Sequence, residues 1–526
     1  MIRWHDRRQP FHDGTFVRYA DAVSRIRLPA ACAAAAVLVI LRSLVWVCWE
    51  QSYFDSDQAI VGLMAKHLLE RRAFPLMFYG QPYMLAVESW LAVPALWLFG
   101  VSVASLKLPL LLMNAAVALL LVKLLVKDAG LAPGAALLSS MFFVMAPPVT
   151  ASRLVEAQGG NIEPFLYTLL LWMTRKRPVA FGLIAGIGLL NREFTAYAIA
   201  AIVLIELRRG LLFSRPNRRG KAIALGGIAG VVLLVRWLMP RADLLGPGTA
   251  GTLPPDAING QLATLGSRFC WNVSALGSNL RWLAGENLAL LFGWRATKLS
   301  AFVVSRVTAG HVWALPALVV LLASSGFVWL SRRGASKEPQ DGRRDFPLFL
   351  VLVGVQTIAV YAGVSCLVRD PMLVRYTLLA VFVPIGFAAM LLRSEVAPAP
   401  RVIGAAAILV WTLAAGADNG RVLFEYLHHP PPAQFRSFAD LLEREGVRYG
   451  RAPYWTAYHV DFLTKERVVL GSYEKVRIAE YERVVDEHVN QSLAVYSDDP
   501  CTDAGAVRFE RWCLLYFERA RNAGGK

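Results

Sequence analysis

Residues 346–366 read FPLFLVLVGVQTIAVYAGVSC, a run of 21 residues without a charged side chain. About 20 apolar residues cross a hydrocarbon core as a helix. In lipid a backbone must satisfy its own polar groups, which leaves helices and closed barrels. Residues 29–49, 104–126, 222–240, 308–331 and 374–393 are apolar blocks of the same kind, and none shows the two-residue alternation of a barrel strand. The chain has 526 residues, 56% hydrophobic and 18% charged, below the roughly 25% charged residues of a soluble protein. These features define an all-α polytopic membrane protein with about nine to twelve transmembrane helices.

The first block is expected to be a retained helix, since 28 residues precede it and no small-residue cleavage site follows. A net charge of +17 invites a nucleic-acid reading, but the basic residues cluster beside helix ends. Arg3, Arg7, Arg8, Arg18, Arg25 and Arg27 precede the first helix. Arg175, Lys176 and Arg177 form a second group, Arg208, Arg209, Arg215, Arg218, Arg219 and Lys221 a third, and Arg332, Arg333, Lys337, Arg343 and Arg344 a fourth. Under the positive-inside rule all four are cytoplasmic, and no nucleic-acid partner is expected.

Crossings at 29–49, 104–126, 132–149, 163–174, 179–191, 194–207, 222–240, 308–331, 346–366, 374–393 and 400–416 satisfy that rule. The count drops by two if one of the short pairs is re-entrant. Residues 1–28 then form a cytoplasmic segment and 29–416 the membrane domain. Three polar regions share the outer face: a first loop at 50–103, a loop region at 241–307, and a small α/β domain at 417–526. Cys501 and Cys513 lie twelve apart in that domain, where an oxidising compartment allows a disulfide; two separate buried thiols are the alternative. Cys270 falls in the long loop and Cys366 at a helix end, and no cysteine–histidine cluster suggests a structural metal.

The first loop opens on Asp55-Ser-Asp57, followed by an amphipathic helix over Gln58–Arg72. Ile60, Val61, Met64, Leu68 and Leu69 fall on one side and Lys66, His67, Glu70 and Arg71 toward the other, which suits the membrane interface. An aromatic, turn-rich segment, Phe74-Pro-Leu-Met-Phe-Tyr-Gly-Gln-Pro-Tyr-Met84, leads to Glu88. Carboxylates at headgroup level suit a general base that deprotonates an acceptor hydroxyl while a phosphate leaves. Helix capping is the other role open to Asp55 and Ser56.

The long first loop, its acidic pair and the polar C-terminal domain together resemble the GT-C glycosyltransferases, which transfer a sugar from a polyprenyl-phosphate carrier. Phe54-Asp-Ser-Asp-Gln-Ala59 is similar to the acidic signature of that family's first loop. Tyr79-Gly-Gln-Pro-Tyr-Met84 resembles its second half in protein mannosyltransferase, aminoarabinose transferase and rhizobial galacturonosyltransferase relatives. The motifs cover about 60 residues, whereas the architectural likeness spans the chain. The resemblance implies Asp57 as base with Asp55 as runner-up, and assigns Gln81, Tyr83 and Glu88 to substrate binding. Gln58 stands where many members have glutamate, which argues against adjacent carboxylates holding a metal, though magnesium or manganese remains an expected possibility of the family. A lysine that contacts the carrier phosphate in the aminoarabinose transferases has no counterpart before Pro82.

Three further segments carry candidates. In Arg153-Leu-Val-Glu-Ala-Gln-Gly-Gly-Asn-Ile-Glu-Pro164, the glycines permit close backbone approach to a ligand, and Glu163 is the second catalytic carboxylate or a helix N-terminal charge. Arg153 and Glu156 are weaker candidates. Arg192 and Glu193 sit between two apolar half-spans, where charges pair internally or line a cavity. Arg375-Tyr376, in Arg369-Asp-Pro-Met-Leu-Val-Arg-Tyr-Thr-Leu-Leu379, resembles the family segment near the lipid phosphate, and a guanidinium binds phosphate in a fork.

In the C-terminal domain a helix is expected over Phe438–Glu445 and strands over Arg467–Leu470 and Ser492–Tyr496. The aromatic run Tyr454-Trp-Thr-Ala-Tyr458 suits either sugar stacking or a packing lid. No phosphate-binding glycine loop occurs. The expected function is an inverting glycosyltransferase of the plasma membrane, with a polyprenyl-phosphate sugar as donor and a lipid, glycan or protein of the cell envelope as acceptor. A multi-pass transporter or lipid flippase is the reading from a different class, but the repeated halves typical of carriers are not evident.

Overall fold

Helix α1 (Leu28–Cys48) begins at Pro29 and runs to the aromatic end of the first apolar block. The structure, a computed structural model, describes residues 26–252, 273–333, 342–364, 371–393, 395–497, 501–502 and 505–516. Arg3, Arg7, Arg8, Arg18, Arg25, Cys270, Lys337, Cys366 and Arg369 lie outside them. After α1 come α2 (Ser56–Leu69), a hairpin of β1 (Met77–Phe78) and β2 (Gln81–Leu85), α3 (Val87–Phe99) and α4 (Val103–Lys127). The bundle continues with α5 (Pro133–Val144), α6 (Pro148–Leu154), α7 (Glu163–Thr174), α8 (Pro178–Asn191), α9 (Thr195–Arg208) and α10 (Arg215–Leu238). It closes with α11 (Ala314–Arg333), α12 (Asp345–Val364), a 3₁₀ run over Pro371–Val381, α13 (Phe382–Leu391) and α14 (Pro398–His428).

Among the described residues six helical stretches are long and apolar enough to cross a membrane, and α5 with α6 would make a seventh. The expected single crossing at 132–149 is instead that bent pair, turning through 86°. Pro147 and Pro148 explain the break, since neither donates a backbone hydrogen bond and Ala146 is steered away from helical torsions. Helix α14 likewise runs past the expected end at 416.

The two ends of the bundle differ in chemistry. Helix α4, about 37 Å long, carries buried Lys107 near its start, where Nζ donates to Trp46 O at 3.0 Å and to Tyr53 O. At its other end Asp128 accepts from Trp172 Nε1 at 2.7 Å and Arg175 at 3.2 Å. Arg209 pairs with Asp345 at 2.7 Å, and Arg343 lies against Gly130. The arginine groups before α8, after α9 and before α12 thus gather at the Asp128 end.

The opposite end carries the C-terminal α/β domain. It contains α15 (Gln434–Arg444), β3 (Tyr449–Ala452), α16 (Tyr454–Leu463), β4 (Val469–Ser472), α17 (Ala479–Glu487), β5 (Ser492–Ser497), β6 (Val507–Phe509) and β7 (Trp512–Tyr516). The sheet order is β4-β3-β5-β7-β6; the first three strands are parallel and the other pairings antiparallel. A disulfide joins Cys501 to Cys513 with Cα atoms 5.3 Å apart. The three polar regions meet here: Gly80 N donates to Leu244 O at 2.5 Å, Ala479 N to Leu245 O at 2.7 Å, and Val304 N to Ser52 O at 2.9 Å.

The first-loop helix is where expected, but of its expected polar side only Glu70 and Arg71 are exposed, while Lys66 and His67 are buried. Helix α2 packs against α3 and α16, and Ser56 and Gln58 through His67 are all buried. Gly62 makes the contact with α16 possible, since a Cβ there would stand 2.3 Å from the Phe462 ring. Glu466 of the C-terminal domain covers the cationic face. It pairs with Lys66, with His67 Nε2 at 3.0 Å and with Arg72 at 3.0 Å, and accepts from Tyr481 at 2.8 Å. Burial alone would raise its pKa, but His67 and Lys66 hold the carboxyl well below the usual carboxylate range. The stabilisation is therefore complete above the unfolded value near 4.5 and is lost only as pH falls below it.

Among the described residues Glu466→Gln leaves Lys66 with Glu70 alone and Arg72 with Glu70 and Glu480, and it should cost about 2 kcal/mol. Thermal unfolding in detergent at pH 7 should show the loss, with the gap to wild type closing at strongly acid pH; equal melting of the two proteins at pH 7 would contradict this anchoring role.

Candidate active site

Residues 155–162 join α6 to α7 without regular structure, and every one of them is buried. A buried loop must find partners for its polar groups, and here they come from four distant segments. Ala157 N donates to Gln58 Oε1 at 3.3 Å. Gly159 N and Gly160 N donate to the two oxygens of Glu88 at 2.7 and 3.3 Å. Gly159 O accepts from Arg192 Nε at 2.6 Å. Gln158 donates to Asp55 Oδ2 at 3.2 Å and accepts from Arg375 Nη1.

Asp55 begins α2 as its N-cap, accepting from Gln58 N at 3.1 Å. Its second oxygen also faces Tyr53 OH at 3.3 Å. Tyr53 in turn donates to Glu156 at 2.6 Å, and Glu156 accepts from Arg153 at 3.0 Å and Asn161 at 2.8 Å. Burial, then the charges of Glu156 and Asp57, push the Asp55 carboxyl up to about 7. Tyr53, Gln158 and Lys107 were not among the expected site residues; a tyrosine, a glutamine and a lone helix lysine carry no spacing signal.

Asp57, in the first turn of α2, faces the C-terminal domain, where its carboxylate accepts from Tyr454 OH. Arg477, itself buried, donates to Tyr454 OH at 3.3 Å and to Gly80 O at 3.1 Å. With its amide turned to suit its neighbours, Gln81 accepts from Arg477 at 3.0 Å and donates to Tyr83 OH at 3.2 Å. Asp57, Gln81 and Tyr83 are thus linked through two C-terminal residues, Tyr454 and Arg477. Arg375 lies 5.1 Å over the Tyr376 ring and close enough to Glu156 and Asp57 to feel their charge.

Glu88 and Glu163 form a buried carboxylate pair. Burial and then Glu163, by its charge and by a hydrogen bond between the two carboxyls, push the Glu88 carboxyl well above the usual range. The glycines expected to admit a ligand instead admit the protein's own groups: a Cβ on Gly160 would stand 2.0 Å from the Arg192 side chain. Glu193 is half-buried and makes no ion pair among the described residues. Among those residues no three His, Cys, Asp or Glu side chains gather to share a metal ion, and Gln58 is occupied by Ala157 N.

The helices, the polar first loop and the terminal α/β domain define a polytopic membrane protein whose fold is shared with a solved ArnT structure. The solved structure of ArnT from Cupriavidus metallidurans bound to undecaprenyl phosphate is similar over 91% of this chain and 97% of that one, at TM-score 0.54 and 11% identity. The apo state of ArnT from the same organism covers 94% of this chain and 100% of that one, at TM-score 0.42 and 13% identity. No family model matches the sequence, and no curated protein matches it.

The raised Asp55 pKa predicts that its contribution to stability declines from about pH 4 to about 7, because the folded state holds the proton that the unfolded chain releases near 3.8. Asp55→Asn should flatten that part of the melting-temperature profile. An unchanged slope between pH 5 and 7.5 would contradict the raised value.

Proposed function

We propose that the chain is a membrane glycosyltransferase that moves a sugar from a polyprenyl-phosphate carrier to a cell-envelope acceptor with inversion at the anomeric carbon. The observation that carries this reading is the meeting of Asp55, Glu88, Arg192 and Arg375 on one buried loop, with Asp57 beside it under the C-terminal domain. The neighbour solved with undecaprenyl phosphate has this fold, which makes such a carrier the first donor to test.

Asp57 is assigned as the base because it is half-buried and its one hydrogen-bond partner among the described residues is Tyr454, which leaves lone pairs open. Asp55 is taken up by its cap, Gln158 and Tyr53, and so positions Gln158, which aims Arg375. In the reaction Asp57 accepts the acceptor hydroxyl's proton. That oxygen forms the new bond to the anomeric carbon as the carbon–oxygen bond to phosphate breaks. The electron pair leaves with the polyprenyl phosphate, whose charge the permanently cationic Arg375 meets. Glu163, buried and paired only with the Glu88 carboxyl among the described residues, orients a sugar hydroxyl, and Glu88 holds the loop beside it. Arg375 supplies the counter-charge without a metal in this scheme.

The same reading places the N-terminus in the cytoplasm, the Asp128 end with its arginines beside it, and the disulfide-bearing domain outside.

In membranes supplied with polyprenyl-phosphate sugars, Asp57→Asn should lose transfer by at least about a thousandfold while melting as wild type does. Full turnover by that variant would remove Asp57 from the chemistry. Arg375→Ala should raise the donor KM more than Arg375→Lys does, and one KM for all three forms would take Arg375 out of the donor site.

A further inference from the structure

The parallel part of the C-terminal sheet runs β4-β3-β5, so the chain leaves β3 in one direction to form β4 and then crosses to the other side to form β5. Where such connections diverge, the carboxyl ends of the strands open a crevice, and in α/β sheets ligands bind there. Here that edge is lined with aromatic rings. Tyr473 follows β4, Trp455 follows β3, and Tyr496 lies near the end of β5. β4 and β5 are two strand spacings apart, about 9.5 Å, yet the Tyr473 and Tyr496 rings stack 5.8 Å apart and 7° from parallel. They reach each other across the end of β3, which stops at Ala452, where Ala452 O accepts from Tyr473 N at 3.1 Å.

These rings do not belong to a core. Trp455 is 54% exposed and Tyr473 43%, although Tyr454 and Tyr458 on the same helix are buried. The residue before Trp455, Tyr454, binds Asp57 through its hydroxyl, and the segment after Tyr473 supplies Arg477 to Gly80 and Tyr454. The loops at this sheet edge are therefore the ones that touch the first membrane loop, and Trp455 is one ring removed from the proposed base, since its neighbour Tyr454 is the residue that binds Asp57. Trp455 is set at 5.0 Å and 87° to Tyr454, with Lys475 over the other ring of that pair at 5.8 Å.

We propose that this edge is the acceptor subsite, in which a sugar ring of the acceptor stacks on Trp455 and the Tyr473–Tyr496 pair and so presents a hydroxyl to Asp57. A pyranose ring has an apolar C–H face flanked by hydroxyls, and exposed flat aromatics next to polar groups match both features. The occupant is thus carbohydrate, and this inference rests on the transferase reading.

The probe is the glycolipid fraction from envelopes of cells lacking the gene, together with the water-soluble glycan released from it by mild acid. Binding of the glycan to full-length protein in nanodiscs is read by saturation-transfer NMR, and transfer is read on the intact glycolipid. Trp455→Ala and Tyr473→Ala should each weaken glycan binding and raise the acceptor KM about tenfold, with donor KM and melting temperature as in wild type. Trp455→Phe should recover most of the loss, and Asp57→Asn should still bind glycan. Wild-type acceptor KM in both alanine variants overturns the proposal while leaving the transferase reading intact. Weakened membrane association of those variants with an unchanged acceptor KM also overturns it, and makes the rings interfacial anchors. Glycan binding lost in Trp455→Ala but no transfer by wild type supports the subsite and defeats the transferase reading.

Discussion

The backbone of residues 155–162 is irregular and buried; the amides of Val155, Glu156 and Gln158 bond to nearby carbonyls, while those of Ala157, Gly159 and Gly160 depend on side chains from elsewhere in the chain. A helix meets its own hydrogen-bonding needs; this loop cannot. Its other polar groups therefore recruit partners: Glu88 from the first loop, Arg192 from between α8 and α9, Gln58 and Asp55 from the start of α2, and Arg375 from the 3₁₀ run before α13. Buried polar networks are stable only when nearly every member is paired. Among the described residues Gln58 Nε2 and Arg375 Nε are left without a partner, and Glu163 meets only the Glu88 carboxyl, so these groups are the ones open to a substrate.

The C-terminal domain is continuous with this arrangement. Glu466 is set in a left-handed turn, pairs with Lys66 and Arg72 of the first loop and meets the His67 ring, while Arg477 and Tyr454 close over Asp57 and Gln81. A helix with Lys66 and His67 on one side would be stable at a wet interface; covering it required a carboxylate of matching charge. The domain supplies that carboxylate and, from the same surface, the hydroxyl that touches the proposed base. Packing and chemistry share one interface.

Much of the membrane fold was legible because lipid leaves few options: long apolar blocks had to become helices, and arginines marked their ends. Proline at 147 and 148 was also visible, but reading 132–149 by hydropathy alone passed over the kink those residues impose. In the site, charged residues at unusual places, such as Glu88, Arg192 and Arg375, could be nominated one by one. Their common partner could not, because Gln158 and the glycine amides acquire meaning only through contacts across more than 70 residues of sequence. The burial of Lys66 and His67 on the polar side of α2 was hidden for the same reason: Glu466 lies about 400 residues away. β3, with the sequence Tyr449-Gly-Arg-Ala452, has neither alternation nor length to announce it, and so the parallel sheet and its aromatic edge emerged only in three dimensions.

The most direct test of the account is mass spectrometry of envelope glycolipids and glycoproteins, and of polyprenyl-phosphate sugars, from cells with and without the gene. Loss of one sugar from one class of acceptor, together with accumulation of the matching lipid-linked sugar, is the predicted result. Identical acceptor and carrier profiles in the two strains, under conditions where the protein is made, would contradict a role in sugar transfer.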